Sequence, residues 1–213
     1  MNRQFDKLNS LDKRRSLPYE QYFGEMPISD DEKEKRISMA EDIDDIFYDL
    51  FLLIQAYKKV EKPIDTDYLT DYVVRRYEDV LSDFDLLDYV LYPWLAVHLA
   101  GIAADIIQTT DENLDDPWYL SDDRVMLIAE NEANSVEEYT LLRNAINNGA
   151  TKKTWVTMQD HRVRHTHHIV DGETIGIHDA FQVGAYEMMQ PKDTSLGAGM
   201  EEIANCRCSL MFM

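Results

Sequence analysis

At Gly149 the sequence changes its period. From about residue 37 to that glycine, apolar side chains recur three and four positions apart. Beyond it they fall in short β-branched and aromatic runs, broken by Gly, Pro, Asp and His. A chain built this way is confined to the α+β class, with a mainly helical N-terminal two-thirds and a small C-terminal α+β module.

The helical part opens on Ser29-Asp30-Asp31-Glu32, a cap with acids in the first turn. Ile37, Met39, Ile43, Ile46, Phe47, Leu50, Phe51, Ile54 and Tyr57 then mark one apolar stripe up to Pro63. The spacing predicts a second helix over about 66–82 and a third over about 84–109, kinked or restarted at Pro93. His98 falls on this apolar third helix and reads as a hydrogen-bonded core histidine without a site role. The run "TTDENLDDPWYLSDD" (109–123) reads as a loop. Two further helices are expected, over 121–134 and 135–149, the second opened by a Ser135-x-x-Glu138 capping box and closed by Gly149. "TKKTWVTMQ" (151–159) has the composition of a short strand.

Three parts follow: an irregular arm over 1–30, with Tyr19, Tyr22 and Phe23 as docking anchors, a helical domain over 31–120, and a C-terminal module over 121–213. The formal charge of −20 is concentrated in the middle, where residues 37–150 carry seven Lys or Arg against twenty-five Asp or Glu. Such a surface repels nucleic-acid phosphates, so direct DNA contact is assigned to the near-neutral ends. There is no run long and apolar enough for a bilayer and no apolar signal core at the N-terminus, so no membrane role is expected and synthesis in the cytosol is. In that reducing setting two cysteines are free thiols or metal ligands rather than a disulfide.

Chemistry-bearing residues gather in the last third. "DHRVRHTHHIVDG" (160–172) holds four of the six histidines, and both cysteines stand in Cys206-Arg207-Cys208. Thiolate and imidazole are the donors zinc prefers, and a C-x-C pair with a histidine from a turn supplies three of them. Two other readings stand beside this one: the thiols as small core residues of a final strand "CRCSLMFM", and histidines with Arg162, Arg164 and Arg207 as general acid–base machinery of a nuclease or toxin module. Against the last, no nucleophile elbow, phosphate loop or metalloprotease helix is present in the sequence.

The order of these residues resembles the C-terminal signature of the Mu F-like family of tailed-phage head morphogenesis proteins, also called minor capsid or minor head proteins. The matching positions are Lys153 and Trp155, Asp160, Arg162 and Arg164, His167, Val170-Asp171-Gly172, Phe181, Pro191 and Asp193, and Glu202 through Cys208, with Glu132 upstream at the end of an Ala-x-x-Glu pattern. The likeness covers about 124–211. His161, His165 and His168 sit where the family varies. This moves the metal set to His167, Cys206 and Cys208 with a fourth ligand from Asp160, or His165 in its place. Glu132, Trp155, Arg162, Arg164, Asp171, Gly172, Asn205 and Arg207 are then expected to form a structural network: Lys153 and the arginines pair with Asp160, Asp171, Glu132 and Glu202, Trp155 fills the centre, and Asp171-Gly172 and Asn205 make turns.

The resemblance implies a non-enzymatic minor head protein inside the capsid at the portal vertex, acting in head assembly and in DNA packaging or delivery. Its implied partners are the portal protein and other capsid or scaffold proteins.

Overall fold

The first long helix begins at its expected cap. In the computed structural model, which describes residues 19–86 and 92–213, Ser29 Oγ accepts from the Glu32 amide at 3.3 Å, and Glu32 Oε2 accepts from the Ser29 amide at 2.9 Å. This reciprocal capping box starts α1 (Asp30–Lys59), whose Met39, Ile43, Ile46, Phe47, Leu50 and Ile54 are buried in one stripe. Asp65 caps α2 (Thr66–Asp83) by accepting from the Tyr68 amide at 3.1 Å. At its end Phe84 and Asp85 turn the chain, so the third helix does not start at 84; residues 87–91, part of that expected span, lie outside the described residues.

The third helix, α3, spans Tyr92–Glu112, with Pro93 in its first turn, where a missing N–H leaves no hydrogen bond unmade. It runs past residue 109, and the expected loop contains a short 3₁₀ turn at Pro117–Leu120 capped by Asp116. Ser121 then caps α4 (Asp122–Asn147), one unbroken helix where two were expected. The Ser135-x-x-Glu138 capping box is not used: Ser135 and Glu138 are buried inside the helix. Glu138 accepts from Arg36 of α1 at 2.9 Å, and Arg36 also donates to Asn134. The polar run is a packed face, not a helix end. Gly149, at φ +83°, stops the chain after α4 as expected.

α1 lies against α4, and α2 against α3. Residues 19–24 are helical, and Tyr19 and Phe23 are fully buried in the helical core. Those anchors of the expected arm therefore dock on this chain itself; residues 1–18 of the arm lie outside the described residues. No helix among the described residues is long and apolar enough to cross a membrane.

After Gly149 the small module is built on β1 (Lys152–Val156), the middle strand of an antiparallel sheet. Its neighbours are β2 (Thr174–Gly176) and β5 (Ser209–Phe212), with Lys153 opposite Ile175 and Trp155 opposite Leu210. β3 (Phe181–Val183) and β4 (Tyr186–Met188) form a separate hairpin. Two short helices, α5 (His165–Val170) and α6 (Met200–Ile203), complete the module. Its centre is Trp155, edge-on to Phe181 at 5.2 Å between ring centroids. Gly172, at φ +77°, lets the chain leave α5 and return as β2, and its amide donates to the Trp155 carbonyl at 2.8 Å.

α4 joins the two parts. Toward the helices it buries Val125, Ala129, Ala133 and Val136, and near its C-terminal end Leu142 enters the core of the module. The residues between carry polar side chains that bond to both sides.

Candidate metal centre and the motif around it

α5 is only six residues long, and its three histidines divide by position: His167 is 1% exposed, while His165 and His168 lie on the solvent side. Cys206 and Cys208 come from the segment leading into β5. Alternate residues of an extended segment share a side. Both thiols accordingly turn inward to His167, while Arg207 between them reaches Asp160 and Glu25.

His167 Nδ1 stands 3.3 Å from Cys208 Sγ and 3.6 Å from Cys206 Sγ, and the three donor atoms all lie within 4.8 Å of one another. The other ring nitrogen, Nε2, is 3.1 Å from Glu202 Oε2, which also accepts from Thr166 Oγ1 at 2.7 Å. Gly184 of the β3–β4 turn makes room for that carboxylate: a Cβ there would come within 2.6 Å of Glu202 Oε1. Trp155 packs edge-on against the His167 ring at 5.5 Å. The thiols do not titrate alike. Cys206 is pulled well below the usual thiol range, first by its hydrogen bond with Cys208, and Cys208 is pushed up by that same bond and by burial.

Asp160 and His165, expected to complete a metal set, do not join the three donors. Asp160 Oδ2 accepts from Arg207 at 2.7 Å and from Arg162 at 3.4 Å, and its Oδ1 accepts from the Arg162 amide at 2.9 Å. The Arg207 hydrogen bond leads in holding its carboxyl down at about 2. It is committed to guanidinium groups on the outer side of the Cys206–Cys208 segment, and His165 faces solvent.

The structural network is real but wired differently. Arg162 pairs with Glu25 and Asp160, and Arg207 with the same two acids. Arg164 donates to the Ala204 carbonyl instead of an acid. Lys153 donates to the Met189 carbonyl at 2.7 Å and lies over the Phe181 ring. Asp171 ties the loop after β1, accepting from the Thr157 amide at 2.8 Å. Glu132 takes His98 at 3.1 Å, and His98 also faces Thr194 at 3.3 Å, the core histidine its setting predicts. Asn205, at φ +55°, makes its turn with its backbone amide donating to Asn131 Oδ1 at 2.8 Å.

Sequence reasoning missed three groups. Glu202 belonged to the motif but was assigned to an arginine; its separation of four residues from Cys206 could have marked it as a companion of the thiols. Asn131 and Asn134 on α4 carry no periodic signal, yet Asn131 holds Asn205 and Lys192, and Asn134 Nδ2 donates to the Cys206 carbonyl at 3.2 Å. Lys192 is fully buried there, and burial pushes its ammonium down to about 8.

A family model described as Phage Mu protein F like protein matches residues 101–211, more than half of the chain. The chain therefore belongs to the Phage Mu protein F like family, and it is a phage head morphogenesis protein. The match begins inside α3, upstream of the likeness at 124–211, and takes in all of α4. No curated protein and no solved structure matches the chain.

Proposed function

We propose that this protein is a structural, non-enzymatic minor head protein that associates with the portal inside the capsid and acts in head morphogenesis and in DNA packaging and delivery. Family membership supports the head assignment. The observation that carries the structural reading is that the signature residues spend their polar atoms inside the protein: His167 on Glu202 and the thiols, Asp171 on Thr157, Asn205 on Asn131, Arg164 on Ala204. A motif used this way preserves a shape for partners to read.

The acidic helical body is the surface offered to portal, capsid or scaffold proteins, and its charge disfavours contact with packaged DNA. Because Tyr19, Phe23 and Met26 are buried in the core, a deletion used as a docking test stops before residue 19. The full chain co-expressed with the portal protein of the same phage should co-purify with it, and heads assembled without this chain should lack full infectivity while retaining shells. Absence of the chain from purified heads would end the reading. Cleavage of DNA by the pure protein, abolished by His167→Ala, would replace it with the nuclease reading.

A further inference from the structure

We infer that His167, Cys206 and Cys208 form a binding site for one thiophilic divalent ion, Zn²⁺, with Glu202 as the positioning acid behind the histidine. The site stands apart from the assembly role above and can fail without it.

The distances carry the argument. A zinc ion bound at about 2.3 Å to sulfur and about 2.0 Å to nitrogen, at a tetrahedral angle, holds S and N about 3.5 Å apart. The two separations here are 3.3 and 3.6 Å, with both sulfurs on the same ring nitrogen. A thiol donating a simple hydrogen bond to imidazole needs only one sulfur at Nδ1; here two converge on it.

The second ring nitrogen is settled independently. Glu202 Oε2 at 3.1 Å from Nε2 accepts that N–H, which leaves the Nδ1 lone pair facing the sulfurs. A carboxylate behind a histidine is the usual companion of a metal-bound imidazole, fixing its tautomer and raising its basicity. Thr166 and the absent side chain of Gly184 hold Glu202 in that place.

Among the described residues, no other His, Cys, Asp or Glu joins the three donors. Protein ligands therefore supply three positions, and water or a small anion completes the shell. His167 is separated from the cysteines by 39 and 41 residues, so the ion ties α5 to the entry of β5.

The test uses the full chain, reduced, stripped with chelator, reloaded with Zn²⁺ and freed of excess metal. Elemental analysis should give about one zinc per chain, and titrating the thiols with a mercurial should release it. Reloading with Co²⁺ should give intense near-ultraviolet sulfur-to-metal absorption. Cys206→Ser with Cys208→Ser should remove binding, and Glu202→Gln should weaken it about tenfold with unchanged circular dichroism. Zinc near zero in reduced protein overturns the site, as does zinc that stays bound when both thiols are blocked. The mercurial titration needs no variant, so it decides even if the serine protein does not fold.

Discussion

The helical body and the C-terminal module are held by different means. Among the described residues before 150, buried apolar side chains outnumber buried polar ones by roughly two to one; from 150 onward the two kinds are nearly equal. The body is a stack of amphipathic helices whose stripes exclude water. The module has strands of three to five residues and two helices of six and four residues, too little regular structure to enclose a large core. It compensates with hydrogen bonds to buried acids, carbonyls and amides. Where the core is thin, side-chain chemistry fixes the fold, and this is why the recognisable motif lies in the module.

Single substitutions break this contrast in different places. The largest effect is expected from Trp155→Ala, which empties the centre of the small core at a cost of about 3–5 kcal/mol. Hydrogen exchange should show protection lost across 150–213 while α1 stays protected; loss of both together would mean that the two parts fold as one unit. Arg36→Ala should cost about as much, roughly 3–5 kcal/mol in urea unfolding, because it strands Glu138 with both groups fully buried. Replacing both, Arg36→Met with Glu138→Leu, should come out near neutral, since the pair is a matter of matching and not of gain.

A smaller effect is expected from pH. Burial pushes the Glu130 carboxyl up to about 7. An acid with a raised folded pKa binds its proton more tightly folded than unfolded, so stability should fall as pH rises from about 4.5 to about 7 and level off above. Glu130→Gln should remove about 1–2 kcal/mol of that slope, a figure reduced because the carboxyl is part-exposed. Denaturation midpoints at pH 5 and pH 8 for both proteins check it. Gly172→Ala should cost least, about 1 kcal/mol, since φ is +77° but no atom stands where the Cβ would go. Melting temperatures measure that difference.

Legibility in the sequence followed the same contrast. The α1 stripe and its Ser29 cap were readable because an exposed helix must separate apolar from polar residues at a fixed period. α4 was not, because both of its sides are covered in the middle. Asn134, Ser135 and Glu138 look like a helix boundary only while their partners, Arg36 and the Cys206 carbonyl, are out of view. Likewise, His167, Cys206 and Cys208 were readable as a set from donor type. The loss of Asp160 to Arg207 was not, because it depends on which side of an extended segment each residue faces. Tyr19 and Phe23 read as anchors of an irregular arm, but nothing in their spacing says that they sit on a helical turn buried against the same chain.

One carbonyl joins these regions in time as well as in space. The Cys206 oxygen accepts from Tyr22 Oη at 3.0 Å and from Asn134 Nδ2 at 3.2 Å, so three stretches far apart in sequence meet on a single atom. During synthesis the segment around Tyr22 leaves the ribosome long before its acceptor, 184 positions further on. Until Cys206 emerges, Tyr22 Oη and Asn134 Nδ2 lack this acceptor, although Arg36 already offers the α4 face a partner. The last of the three stretches to be made is thus the one that carries the signature cysteines, and the shared acceptor exists only once it has been added.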